Sequence, residues 1–245
     1  MRGYNVKIAN TVFCIYSYYS GTLDRLRPYI TGEPADYTVT VEPSDLEEEY
    51  AIQRRTRPEG FNDAYIHSFK PEFAVLHRKI SHLMINHDML LVHGSCVVAD
   101  GGAYLFIAPS GVGKSTHTHH WLSLLGDRAR IINDDKPMIY CRDGSATVYA
   151  TPWGLSDAPA GDNAPLKAIT VLRRGTQNSI REISGTELFI ELFKSSVRGD
   201  TADEQKRISI LQNRLIDAVK CYSMTCTADI DAAKISYRAL TGNAF

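Results

Sequence analysis

The chain has 245 residues, 44% of them hydrophobic and 22% charged, with a formal net charge of -1. That is the composition of an ordinary globular protein able to bury a substantial core, and we expect one main domain. The near-neutral charge excludes a global electrostatic attraction to nucleic acid or to an anionic membrane, so neither is an expected partner and any basic site must be local.

Residues 1 to about 45 alternate apolar and polar positions in runs such as YNVKIANTVFCIY and DYTVTVEP, broken by Gly21, Gly32 and Pro34. This predicts strands joined by turns. The same stretch has no continuous apolar segment of the kind that directs export, because Asn5, Lys7, Asn10, Thr11 and Ser17 interrupt it. The next segment, SDLEEEYAIQRRTRPEGFNDAYIHSF, is charged and turn-prone and reads as exposed connections around one or two more strands. From Pro71 to about His87, Phe73, Leu76, Ile80, Leu83 and Met84 recur at helical spacing.

Two apolar strands then flank an ADGG turn in MLLVHGSCVVADGGAYLFIAPSG, a predicted hairpin that runs into a glycine-rich loop. A helix is expected from Ser115 or Thr116 to about Leu125, stopped by Gly126, followed by ARIINDD, a short buried strand ending in two acids. DKPMIYCRDGSATVYATPW reads as a second hairpin around Asp143-Gly144, and PLKAITVLRR as a further strand. Helical spacing returns at Ile208, Leu211, Leu215, Ile216 and Val219, and again in ADIDAAKISYRAL. No window approaches the roughly 20 apolar residues of a membrane span. The five cysteines, Cys14, Cys96, Cys141, Cys221 and Cys226, lack C-x-x-C spacing, so the expected compartment is a reducing cytoplasm.

Chemistry concentrates between Ser110 and Asp135. The stretch A-P-S-G-V-G-K-S, from Ala108 to Ser115, matches a mononucleotide-binding loop except that its first glycine is Ala108. In such a loop backbone N–H groups wrap the phosphates, the lysine reaches the β- and γ-phosphates, and the hydroxyl binds magnesium. The residues expected to hold the nucleotide are Ser110, Gly111, Val112, Gly113, Lys114, Ser115 and Thr116. Alanine costs little at the outer position if the backbone there keeps negative φ.

If YLFIA and ARIIN are parallel strands joined by the helix, their C-terminal ends share one sheet edge, and Asp134 and Asp135 lie beside the loop. One carboxylate can then hold Mg2+ with Ser115, while the other takes a proton from an attacking hydroxyl. His117 and His120 have no further convergent ligands with zinc spacing and read as helix-face residues next to the phosphates. Arg173, Arg174 and Arg198 are candidates for neutralising transferred charge. TPWG, from Thr151 to Gly154, is either an acceptor-side loop or a packed corner, and the tryptophan favours packing.

HGSCVVADGGAYLFIAPSGVGKS followed by INDD resembles the C-terminal catalytic domain of HPr kinase/phosphorylase, in the order and approximate spacing of its motifs from His93 to Asp135. The resemblance implies an α/β fold with a P-loop kinase core, related to ATP-dependent phosphoenolpyruvate carboxykinase: a mixed sheet with flanking helices. It implies ATP and Mg2+ as cofactors and transfer of a phosphoryl group to a serine hydroxyl. By the same alignment His93 is the active-site histidine, Lys114 the phosphate-contacting lysine, Asp134 the general base, and Ser115 with Asp135 the magnesium side.

This chain departs from the family at Thr116, where a glutamate is usual, and in TPWGLSDAPAGDNAPLKAI, where the family carries an E-I-R-G-type motif. It has no room for the separate N-terminal domain of the longer members. These departures argue against HPr itself as acceptor and against reverse phosphorolysis. The pattern is similar to the smaller kinases of this group that phosphorylate a serine on a precursor peptide.

The expected organisation is a β-rich N-terminal segment, 1-66, packed on a P-loop kinase domain, 67-245. The expected partners are a nucleotide and a serine-containing protein or peptide. A small-molecule kinase acting on free serine, a carboxykinase-like enzyme, and a nucleotide-binding regulatory module without phosphotransfer are the alternatives. Oligomeric state and base specificity are not legible in the sequence, which leaves a homo-oligomer open.

Overall fold

A computed structural model describes residues 2–154 and 158–244, so that Leu155, Ser156 and Asp157 of the segment after TPWG lie outside the described residues. The chain divides into two compact units, Met1–Leu83 and Met84–Phe245.

In the first unit β1 (Arg2–Ile8) pairs antiparallel with β2 (Thr11–Ser17). After α1 (Ser20–Leu26), β3 (Tyr37–Val39) adds to β2 in parallel, giving a three-stranded sheet. The alternating run YNVKI places Val6 and Ile8 in the core with Phe13, Ile15 and Leu26. The charged segment that reads as connections and strands is instead helical: α2 (Pro43–Thr56) and the short α3 (Asp63–Ile66). Pro43 at its first position and a capping box between Glu42 and Asp45 start α2, while Glu49 is its one buried residue, so no apolar stripe announces the helix. Glu49 instead accepts from Arg78 Nη1 at 2.8 Å and from Tyr65 Oη at 2.9 Å. The predicted helix near Pro71 is α4 (Lys70–Ile85), along which the chain passes into the second unit.

The second unit is α/β, built on a nine-stranded mixed sheet among the described residues. Its strands are β4 (Met89–Leu91), β5 (Gly94–Ala99), β6 (Gly102–Ile107), β7 (Ala129–Asn133), β8 (Met138–Arg142) and β9 (Ser145–Tyr149), then β10 (Asn163–Arg174), β11 (Ser179–Glu182) and β12 (Lys220–Cys226). The helices are α5 (Lys114–Leu125), α6 (Gly185–Ser195), α7 (Ala202–Ala218) and α8 (Ile230–Thr241). Both predicted hairpins form: β5 pairs antiparallel with β6 around Asp100-Gly101, and β8 with β9 around Asp143-Gly144, all four turn residues at positive φ.

β10 organises the sheet. Its first residues pair antiparallel with β9, and from Leu166 onward it pairs in parallel with β6 on one side and, from Ala168, with β12 on the other. The order β10-β6-β5-β7 follows, with β5 antiparallel to both β6 and β7. Alternate side chains of these strands enter two cores. Val97, Tyr104, Phe106 and Met224 pack with Trp121 of α5 and Tyr237 of α8. Cys96, Leu105, Ile107 and Val171 pack with Leu188 and Leu192 of α6 and Leu211 and Leu215 of α7. Burial of both faces is why β5 and β6 read as continuous apolar runs.

Two expectations need correction here. β7 is not a buried strand: it ends the sheet order, with Arg130 exposed and in a two-point ion pair with Asp162. The helical spacing that includes Val219 stops at Ala218, and the next residues form β12, a strand paired between β10 and β11.

Candidate functional site

Strand β6 leaves the core at Ile107 and turns through Ala108–Gly113 into α5. Ala108 is buried and is not among the described residues with positive φ, so the replacement of the usual glycine costs no backbone strain. Gly111 and Gly113 do sit at positive φ, +80° and +118°, where a side chain would be strained; they let the loop curl back over the start of the helix. Ser110, Gly111, Ser115 and Thr116 are exposed, and Val112 and Gly113 half-buried. Lys114 is buried at the base of the loop, its Nζ donating to Ala108 O at 2.9 Å and Pro109 O at 3.4 Å. Burial lowers its pKa, the Asp135 charge nearby raises it, and Lys136 opposes that.

Helix α5 is pinned from behind. Thr118 Oγ1 and Ser95 Oγ of β5 share a buried hydrogen bond at 2.7 Å. His117 Nε2 lies 2.8 Å from Ser236 Oγ, which also accepts from Trp121 Nε1 at 2.9 Å and donates to Ala233 O at 3.0 Å. With the serine proton given to Ala233, His117 is the donor on Nε2, and burial pushes its pKa down to about 4, helped by the neighbouring His120. This histidine therefore anchors α5 to α8 as a neutral imidazole.

The strand directions bring the remaining expected residues to the same edge. β6 and β7 run parallel to each other with antiparallel β5 between them, so the C-terminal ends of β6 and β7 and the start of β5 lie together. Parallel β6 and β7 are as the sequence reading required; the intervening strand is an addition, and its entry residue is His93. His93 Nε2 lies 3.3 Å from Asp135 Oδ1, and the Gly94 N–H donates to Asp135 O at 3.0 Å. His93 N–H also donates to Ser195 O at the end of α6, at 2.5 Å.

Asn133, fully buried, sets the direction of the two acids that follow it. Its Oδ1 accepts from Asp135 N at 2.9 Å and Lys136 N at 2.7 Å, a side-chain turn that folds the backbone back on itself. Its Nδ2 donates to Thr151 O and Oγ1 at 3.2 and 3.0 Å. Thr151 in turn donates to Lys136 O at 2.8 Å. Gly154 approaches so closely that a Cβ there would lie 2.7 Å from Asp134 Oδ1. TPWG is thus a packed corner, Trp153 being buried, and its glycine is the wall beside Asp134.

A magnesium ion bound by phosphates takes hard oxygen ligands, one or two from protein. Ser115, exposed on the first turn of α5, and Asp135, with half of its side chain exposed, are such donors, and the influence of Asp135 on Lys114 puts its charge at the loop. The residues present suit the ion.

Of the three arginines singled out, one reaches the loop. Arg174, the last residue of β10, donates from Nε to Val112 O at 3.3 Å and from Nη2 to Gly111 O. Arg173 pairs with Glu191, and the Arg198 guanidinium lies over Phe193. A cavity of about 400 Å³ opens beside the loop, lined among others by Gly113, Thr116, His120, Arg174, Gly175 and Thr227. Gly175 and Thr227 carry no motif of their own, and only the topology brings them here, while Gly154 belongs to TPWG without its place beside Asp134 being legible there. Asn133 had one local signal, its position directly before the acid pair.

No family model and no curated protein sequence matches the chain. Among solved structures, that of the Hpr(Ser) kinase/phosphatase from Coxiella burnetii is similar at 13% identity with a TM-score of 0.27, over 49% of this chain and 92% of that one.

Proposed function

We propose that this chain is an ATP- and Mg-dependent kinase that transfers the γ-phosphoryl group to a serine hydroxyl of a protein or peptide, as the resemblance of its motifs to HPr kinase implies. One observation carries the reading. The order β6-β5-β7 brings the glycine-rich loop, His93 and the Asp134–Asp135 pair to one edge of the sheet, an arrangement in which a phosphate on the loop would meet two carboxylates.

The loop amides and the dipole of α5 receive the phosphates, and Lys114 turns from the loop carbonyls to the transferred group. The cavity beside Thr116 and His120 is large enough for the nucleoside end. Ser115 and Asp135 would hold Mg2+, which when bound would neutralise phosphate charge. Asp134, set against Gly154, takes the proton of the serine hydroxyl; the serine oxygen forms a bond to the γ-phosphorus as the bond to the β-phosphate oxygen breaks, and ADP leaves. His93 holds Asp135 in place by its 3.3 Å contact.

The test is incubation with γ-labelled ATP and Mg2+ in the presence of serine-containing peptides, a small phosphocarrier protein and free serine. Label on a serine of a peptide or protein is expected. Label on free serine alone selects the small-molecule alternative, and nucleotide binding without transfer selects a regulatory module.

A further inference from the structure

Glycine-rich loops have a conformational cost. Gly111 and Gly113 have wide backbone freedom, and a loop that must present its amides in one direction has to lose that freedom first. Something outside the loop can reduce the loss by holding its carbonyls, because in a trans peptide the C=O and the following N–H belong to one plane and point in opposite directions.

We propose that Arg174 is a positioning residue for the phosphate loop, its guanidinium gripping the consecutive carbonyls of Gly111 and Val112 and so fixing the peptide planes that carry the Val112 and Gly113 N–H groups. The inference rests on the reading of this loop as a phosphate site. Arg174 is the terminal residue of β10, and β10 pairs in parallel with β6 up to Val171 opposite Ile107. The register therefore carries Arg174 past the end of the strand pair, level with the loop. Nη2 reaches Gly111 O and Nε reaches Val112 O at 3.3 Å. The two donors sit in a rigid planar fork, which is the feature of arginine that an ammonium lacks. The Val112 N–H makes one long internal bond, 3.4 Å to Pro109 O, so the loop's own bonding holds this plane weakly.

Arg174 also lines the cavity beside the loop, so direct contact with the nucleoside is the competing role. Magnesium tripolyphosphate, which has no base or ribose, separates the two. Wild type, Arg174→Ala and Arg174→Lys are titrated calorimetrically with MgATP and with magnesium tripolyphosphate, and the ligand-free melting temperature of each is recorded. Arg174 is exposed, so the ligand-free melting temperatures are expected to agree closely. Loss of two charge-assisted hydrogen bonds is expected to weaken both ligands by the same factor, about tenfold or more, in both variants.

Four results overturn the proposal. Weakening of MgATP alone assigns Arg174 to the nucleoside; recovery of both affinities in Arg174→Lys assigns it to charge attraction; unchanged affinities remove it from the site; and weakening matched by a fall in the ligand-free melting temperature makes it part of the general fold. A wild type that binds neither ligand overturns the reading of the loop itself, and is distinct from all four.

Discussion

His117 offers a test of the packing behind the loop that needs no ligand. The residue is 4% exposed, its imidazole is bonded through Nε2 to Ser236, and its pKa is pushed down to about 4 from an ordinary value of 6.5 by burial and, secondarily, by His120. Because the folded-state value is the lower one, the unfolded chain binds more protons between these two pH values. Stability is therefore fully present above about pH 6.5 and declines as the pH falls through the window, levelling off near 4. At pH 5 the two values correspond to roughly 2 kcal/mol lost relative to pH 7.5. The perturbation is His117→Gln, whose amide can still donate to Ser236 but does not titrate. Both tryptophans of the chain, Trp121 and Trp153, lie in the second unit, so their fluorescence in urea follows the unfolding of that unit. Between pH 7.5 and 5 wild type should lose about 2 kcal/mol more than the variant, all other histidines being common to both. Equal losses would refute a buried, neutral His117 as the tie between α5 and α8.

Lys114→Ala should abolish the thermal stabilisation of the chain by MgATP, which for wild type at a hundredfold excess over Kd is about 2.7 kcal/mol; an undiminished shift would remove the lysine from the phosphate site. Gly154→Ala places a Cβ 2.7 Å from Asp134 Oδ1 and 3.0 Å from Asn133 Oδ1. Since the carboxylate can swing away, the melting temperature should fall only slightly, while single-turnover transfer drops by on the order of a hundredfold through displacement of Asp134. A normal transfer rate in this variant would contradict the position given to Asp134.

The parts of the fold legible in the sequence are those with local causes. The turns at Asp100-Gly101 and Asp143-Gly144 have residues that accept positive φ, and α5 is capped by Gly113 before it and Gly126 after it, so its limits are written in the chain. α2 was not legible because its stabilisation is polar, with a capping box at one end and buried Glu49 bonded to Arg78 and Tyr65. β12 was hidden because its apolar residues continue the spacing of α7; its pairing with β10 on one side and β11 on the other makes it a strand. The same division holds at the site. Lys114 and the acid pair stand out by motif, but the role of Arg174 depends on the parallel register of β10 with β6, and that of Gly154 on the turn set by Asn133. Long-range pairing leaves no periodic trace in one sequence.

The most direct measurement is a pair of assays on Asp134→Asn: calorimetric affinity for MgATP, and single-turnover transfer of the γ-phosphoryl group to the serine acceptor that wild type labels. Asn is close in size and leaves the Gly154 wall and the Asn133 turn in place, so the nucleotide affinity should stay within about twofold while transfer falls by at least about a hundredfold. Transfer at the wild-type rate with affinity unchanged would mean that another group takes the serine proton, and would contradict the phosphotransfer proposed at the edge formed by β6, β5 and β7.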